Sequence, residues 1–190
     1  MLEFIQFMFL RRPSDSKIAA FKKRQSKNSP NFTIEQQQRK IEVQHHRVKL
    51  GQGEELFAFA RELIKEWQVF CTPDCTAYPP DEPPKVGLTT VSLLREWGIW
   101  FLISCRITEV LDSNEEYGFT YETLPGHVEC GYETFKVKMD PVTKDVDYII
   151  DSKSNHRFFL FWLASPIVHW LQMRYKINSA KHMQKMCLNR

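Results

Sequence analysis

The chain has 190 residues, 43% apolar and 26% charged, with a net charge of +3. That length suits one domain with a sizeable core. Fourteen Phe and five Trp exclude bulk disorder, and nothing resembles a nucleic-acid motif, so no nucleic-acid partner is expected.

The charge is unevenly spread. Residues 1–50 hold eleven Lys/Arg against four Asp/Glu, residues 51–156 nine against nineteen, and residues 157–190 six against none. The simplest physical account is that basic terminal segments complement an acidic sheet. The alternative is a weak contact between the basic ends and an anionic membrane.

Cys71, Cys75, Cys105, Cys130 and Cys187 are an odd, scattered set. With no secretory signal they read as reduced thiols, and an intracellular, cytoplasmic location is expected. Cys71 and Cys75 lack the second close pair that a structural zinc site needs. His45 and His46, adjacent on a strand, point to opposite faces. No metal and no cofactor are expected. In the opening run MLEFIQFMFL, Arg11 and Arg12 follow the apolar residues, the reverse of a signal peptide's order. No stretch approaches the roughly 20 apolar residues of a transmembrane helix.

Residues 11–27 read as a short basic helix, with Pro13 in the first turn, Ser14 or Asp15 as cap, and Ile18 and Phe21 on one face. Residues 28–40 are a polar connection. Residues 1–40 are thus expected as a basic extension packed on or beside a single domain over 41–190. Residues 41–50 alternate imperfectly and read as a strand. Gly51 and Gly53 end it, Glu54 and Glu55 suit a helix N-terminus, and Leu56, Phe59, Leu63 and Trp67 follow helical spacing. Residues 71–85 hold five prolines and read as a loop.

Strand-like runs follow at 86–95, 98–110, 117–123, 130–139 and 145–151, parted by turn residues such as Asn114 and Asp140-Pro141. Within 130–139, Tyr132, Thr134, Lys136 and Lys138 alternate with Glu133, Phe135, Val137 and Met139. From 158 onward one long helix is expected, about 35–40 Å in length. Leu163, Ile167, Trp170, Met173, Ile177, Ala180 and Cys187 lie near its apolar face, with Arg174, Lys181 and Lys185 mostly off it. The order predicts an α+β fold of about six antiparallel strands curved around a long C-terminal helix, the helix-grip arrangement.

Residues 118–135 carry a denser signature. Gly118, Phe119, Tyr121, Thr123, Leu124, Pro125, Gly126, His127, Glu129, Gly131, Glu133 and Phe135 resemble the signature of a domain-of-unknown-function family, DUF1990. The likeness extends over about residues 9–187, through Arg12-Pro13, Gly51, Gly53, Phe57, Ala60, Trp67, Trp97, Gly98, Arg106, Pro166 and Gln172. The chain departs from it at Cys130 and Tyr132, and where Ser152-Lys153-Ser154 replaces the family's Ser-Arg-Pro. The resemblance implies a shape akin to lipid-binding and polyketide-cyclase-like helix-grip domains, which is kinship of fold and carries no activity.

His127 and Glu129, two apart, share a face of a continuing strand, and Glu122 precedes the turn. A histidine beside a carboxylate suits acid or base catalysis; the structural alternative is that these side chains stabilise the hairpin. Arg106, in an otherwise apolar strand, needs a partner, either an anionic ligand group or an internal Glu. Trp100, Phe119, Tyr121 and Trp170 stand out as pocket-lining candidates beside Arg106 and His127. Three functions follow as expectations. The first is a module binding a small apolar ligand or lipid. The second is a cyclase- or hydrolase-type enzyme using His127 with Glu129 or Glu122. The third is a peripheral interaction protein using its basic termini.

Overall fold

The structure is a computed structural model and describes residues 8–32, 42–71, 75–78, 82–127, 129–156 and 165–190, with backbone only at 42, 129, 155, 156 and 165–168. In chain order the elements are β1 (Met8–Phe9), α1 (Asp15–Gln25), β2 (Glu42–Gln52), α2 (Glu54–Lys65), a 3-10 turn (Gln68–Phe70), β3 (Cys75–Tyr78), β4 (Thr89–Glu96), β5 (Ile99–Asp112), β6 (Glu116–Thr123), β7 (Glu129–Met139), β8 (Asp145–His156) and α3 (Ser165–Leu188).

Seven strands run in the order β2-β8-β7-β6-β5-β4-β3, and β1 pairs with β5. Every pairing is antiparallel. The short turns of the β4–β8 meander make neighbours in sequence neighbours in space, and β2 closes the far side against β8. The sheet curls because of two mid-strand glycines and two register shifts. A Cβ on Gly118 would lie 2.3 Å from the Phe135 carbonyl oxygen, and one on Gly131 would lie 2.2 Å from that of Lys153. The register shifts between Lys49 and Gly51 and between Ile107 and Glu109 bend the strands further.

The inner face of the curl is filled from one end. Gly53 starts α2 beside the acidic pair Glu54 and Glu55. The helix then buries Leu56, Phe57, Ala60, Leu63 and Ile64 against Phe119, Phe135, Val137, Val146, Tyr148 and Ile150. Trp67 follows at φ 62, a left-handed conformation that costs a bulky residue roughly 1–2 kcal/mol. Burial of its indole, with Nε1 donating to the Glu82 carbonyl at 3.0 Å, offsets that strain. The reversal drives Phe70 into the sheet. Its ring centroid lies 5.4 Å from Phe135, 6.1 Å from Tyr121 and 6.2 Å from Phe119.

α3 packs over β2 and β8, reaching α2 and the 3-10 turn. It buries Lys176, Ser179, Ala180, Met183 and Cys187. This face is rotated by about one residue from the expected stripe: Trp170 is 52% and Ile177 38% exposed. Apolar residues occur all round this helix, and polar partners rather than an apolar stripe fix its first turns. Lys181 and Lys185 are exposed, as expected, whereas Arg174 is half-buried against Glu96. Leu163 and the side chain of Ile167 lie outside the described residues.

α1 packs on the opposite, outer face of β4 and β5, where Ile18 and Phe21 meet Val91, Leu93 and Leu102. Ser14 caps it, its hydroxyl accepting from the Lys17 amide. The proline-rich 71–85 segment contains the edge strand β3, between Pro73 and Pro79. Proline is tolerated at sheet edges, so the segment is not wholly loop. Acidic β8 is matched by basic β2, through Arg47 with Asp147 at 2.5 Å and Lys49 with Asp145 at 2.8 Å. Such half-exposed pairs contribute about 0–1 kcal/mol each.

Candidate functional site

The meander sets four polar side chains in one lateral row. Tyr121 on β6 pairs with Glu133 on β7, Glu133 with Ser152 on β8, and Ser152 with Gln44 on β2. Alternation turns all four to the inner face, in phase with Phe119, Phe135, Ile150 and His46. Lys176 of α3 descends onto the row. Its Nζ donates to Gln44 Oε1 at 2.7 Å and to Ser152 Oγ at 2.5 Å, and lies 3.7 Å from Glu133 Oε1. Tyr121 Oη donates to the other Glu133 oxygen at 2.6 Å. Gln44 Nε2 donates in turn to Gln172 Oε1 at 2.8 Å.

The two charges are not equally hidden. The Lys176 side chain is 2% exposed and that of Glu133 14%. Burial pushes the Glu133 carboxyl above its ordinary range, opposed by the Lys176 ammonium and the Tyr121 hydroxyl. Burial and the Glu133 charge raise the phenols of Tyr121 and Tyr175 and the Cys105 thiol, so all three remain protonated. The row's reachable acceptor is therefore the Glu133 carboxylate. Farther along the same face, toward the β4–β5 turn, Leu94, Phe101 and Ile103 are half-buried.

Burial, the Lys176 ammonium and His45 push His46 below the usual histidine value. The fold thus favours neutral His46. Its contribution is complete above about pH 6.5 and is lost as pH falls through that value toward the lower folded one. The urea midpoint should drop from about pH 7.5 to about pH 5.5, and His46→Gln should flatten the slope. His182, lowered by burial and by Lys185, would supply the remainder.

The residues anticipated from sequence are scattered by the fold. Phe119 and Tyr121 face the inner side, Phe119 buried in the core and Tyr121 packed against it. Trp100 packs with Phe9 and the α1 cluster on the outer face. Trp170 stands largely in solvent with the Arg174 guanidinium 4.8 Å above its ring. Arg106 points outward and holds the end of α1. Its Nη2 donates to the carbonyls of Ser26 at 2.8 Å, Asn28 at 3.1 Å and Gln25 at 3.4 Å, and its Nε to Thr89 Oγ1 at 3.0 Å. Carbonyls at a helix C-terminus attract a cation, so neither an anionic ligand group nor an internal Glu is what these hydrogen bonds serve. Replacing Arg106 by leucine should cost about 2 kcal/mol. Hydrogen exchange should show α1 loosened and the inner face unchanged.

The β6–β7 turn ties elements together. Gln25 Nε2 donates to the Pro125 carbonyl at 3.1 Å, the Leu124 amide to Ser104 at 3.1 Å, and the His127 amide closes the turn onto Leu124 at 3.1 Å. His127 is half-buried there. Glu122 pairs in register with Arg106 and Tyr132, on the face opposite Tyr121, which removes it as a carboxylate for the inner site. The Glu129 side chain lies outside the described residues.

Sequence reasoning missed Lys176, Ser152 and Gln44 as site residues, and noted Glu133 only in the signature and in the alternation of 130–139. The signal for Glu133 was its phase, a carboxylate alternating with Phe135, Val137 and Met139. Lys176 carries the same kind of signal, standing at helical spacing from Ser179, Ala180, Met183 and Cys187.

Comparison with known proteins joins these observations to a family. The family model of the domain of unknown function (DUF1990) matches residues 30–182. This chain belongs to the DUF1990 family. A UPF0548 protein of Dictyostelium discoideum is 29% identical over 156 residues, covering 76% of this chain and 72% of that protein. Among solved structures, the Zhui aromatase/cyclase of Streptomyces sp. R1128 superposes with a TM-score of 0.57 at 11% identity, covering 80% of this chain and 96% of that one. Norcoclaurine synthase of Thalictrum flavum, in complex with dopamine and hydroxybenzaldehyde, gives 0.56 at 10% identity, covering 85% and 95%. At such identities the likeness establishes that this DUF1990 chain has the helix-grip fold and nothing about its chemistry. Among the described residues no helix is long and apolar enough to cross a membrane.

Proposed function

We propose that this DUF1990 protein binds a small, mainly apolar molecule between the curled sheet and α3, with the Tyr121–Glu133–Lys176 row as its polar end. The observation carrying this reading is the placement of a carboxylate, a lysine and a phenol on the inner face next to the apolar cluster of Phe70, Phe119, Phe135 and Ile150. Buried ion pairs are poor stabilisers compared with apolar residues of the same shape, so packing alone is a weak reason for the row. Ligand sites combine apolar walls with a few convergent polar groups, as here. Glu133 accepts from Tyr121 and pairs with Lys176, and a carboxylate has lone pairs for one further donor. The ligand therefore carries a hydroxyl or amine donor on an apolar, ring-containing body. The small aromatics named with one fold neighbour are of that general kind.

Native mass spectrometry and solvent extraction of detergent-free protein test the reading, followed by NMR titration with hydroxylated and amino aromatics. A bound molecule of a few hundred daltons, or shifts centred on Tyr121 and Glu133, is expected. An empty protein whose inner face responds to none of the panel overturns it.

The raised Glu133 carboxyl beside a lysine and a phenol also favours a second reading, in which the row moves a proton on the bound molecule. Glu133→Gln would then abolish turnover, a far larger loss than its weakening of binding.

A further inference from the structure

The β4–β5 hairpin turns through Trp97 and Gly98, both with positive φ (48 and 80), between the paired residues Glu96 and Ile99. A two-residue turn of this shape favours Asn-Gly or Asp-Gly. Trp97 instead occupies a strained position, and its side chain is 70% exposed. Strain in the backbone and a wetted indole both count against the folded chain, and burial of the kind that offsets the strain at Trp67 does not occur here.

Trp97 is not isolated. β1 pairs Met8 with Phe101 and Phe9 with Trp100, so the next residue, Leu10, lies beside Ile99; it is 86% exposed. Trp170 is linked to the same tip, because Arg174 covers its ring and pairs with Glu96. Arg95 sits 5.3 Å over the Trp100 ring, and Arg11 and Arg12 follow Leu10 in exposed positions. Exposed Trp and Leu interleaved with arginines is the composition of a surface that sits at a membrane interface, and the arginines match anionic headgroups.

Strand direction fixes which end this is. β4, β6 and β8 finish at the end where β2 and α3 begin, so the Trp97 tip, the β6–β7 turn and the first turns of α3 share it. The inner polar row lies toward that end. The bases of the last turns of α3 lie elsewhere. Lys185 is about 22 Å along the helix from Trp170 at the usual rise, which separates the two basic termini that the sequence suggested would act together.

We infer that the tip formed by Leu10, Trp97 and Trp170, with Arg11 and Arg95, docks this protein on an anionic lipid bilayer. The inference does not rest on the ligand reading; it presents the ligand-holding end of the fold to the membrane.

The test is co-sedimentation of the full chain with phosphatidylcholine vesicles, with and without phosphatidylserine, at low and high salt. Wild type should partition onto the serine-containing vesicles, more weakly at high salt, since each cation near the surface is worth about fivefold. Trp97→Asn places a favoured residue in the turn, so the urea midpoint should hold or rise while partitioning falls about tenfold or more. Leu10→Asp should act in the same direction. Lys181→Ala with Lys185→Ala should stay within about twofold of wild type, because these residues are remote from the tip. Absence of wild-type partitioning onto serine-containing vesicles at low salt overturns the inference. So does a Trp97→Asn protein that partitions like wild type, or a Lys181/Lys185 variant that loses as much.

Discussion

Phe70→Ala is expected to destabilise the protein by about 3–5 kcal/mol, the usual consequence of emptying an aromatic site in a packed core. Phe70 is the ring that closes the inner face, touching Trp67, Phe119, Tyr121 and Phe135 at once. Those neighbours come from the Trp67 reversal and from two sheet strands, so none can collapse far into the hole. Against a typical domain stability of about 5–15 kcal/mol, the urea midpoint should fall sharply. Trp170→Ala is the matched comparison. The larger aromatic is lost, but it is half in solvent and stacks under the Arg174 guanidinium, so the change should stay within about 1 kcal/mol. Equal losses would mean that α3 is turned as the sequence periodicity suggested.

Lys176→Met should cost about 3 kcal/mol at neutral pH, the low end for removing one partner of a buried pair. The reason is the partly accessible Glu133, which can take up a proton instead of remaining a lone buried charge. The penalty should therefore grow with pH. Without the ammonium the folded-state carboxyl rises further above its unfolded value, so more of the variant's stability is lost as pH climbs through that raised value. The double variant Lys176→Met/Glu133→Gln should recover most of the loss, since the side-chain amide oxygen it introduces still accepts from Tyr121 and no charge is left. A double variant as unstable as the single would mean the pair is itself a principal source of stability.

The sequence made the sheet legible because its runs are β-prone, some of them alternating, and its turns carry Asn, Asp, Pro and Gly. Residues 130–139 show the alternation most clearly, and the strand there is the one that presents Glu133. β3 escaped because four residues between prolines are too few to show a period. The long helix was legible in length and illegible in orientation. Its buried face is decided by Lys176, Ser179 and Tyr148, the last donating to Ser179 Oγ at 2.9 Å. Ser179 passes its own proton to the Val69 carbonyl at 2.7 Å, and a hydropathy stripe does not register such pairings. Arg106 illustrates the same limit. A cation in an apolar strand correctly announces a partner, but only the three-dimensional path of α1 reveals that the partner is a helix end. The signature around the β6–β7 turn drew attention to His127, while the residues that the inner face brings together came from four strands and a helix, remote in sequence and joined by register.

As proposed, the Tyr121–Glu133–Lys176 row serves a ligand rather than the fold. The most direct measurement is binding by the Lys176→Met/Glu133→Gln protein, compared with wild type against the same panel of hydroxylated and amino aromatics, with the urea midpoint followed in parallel. A midpoint close to wild type is expected, with affinities weakened by about tenfold or more, the loss of one charge-assisted hydrogen bond. Wild-type affinities in a stably folded double variant would contradict it.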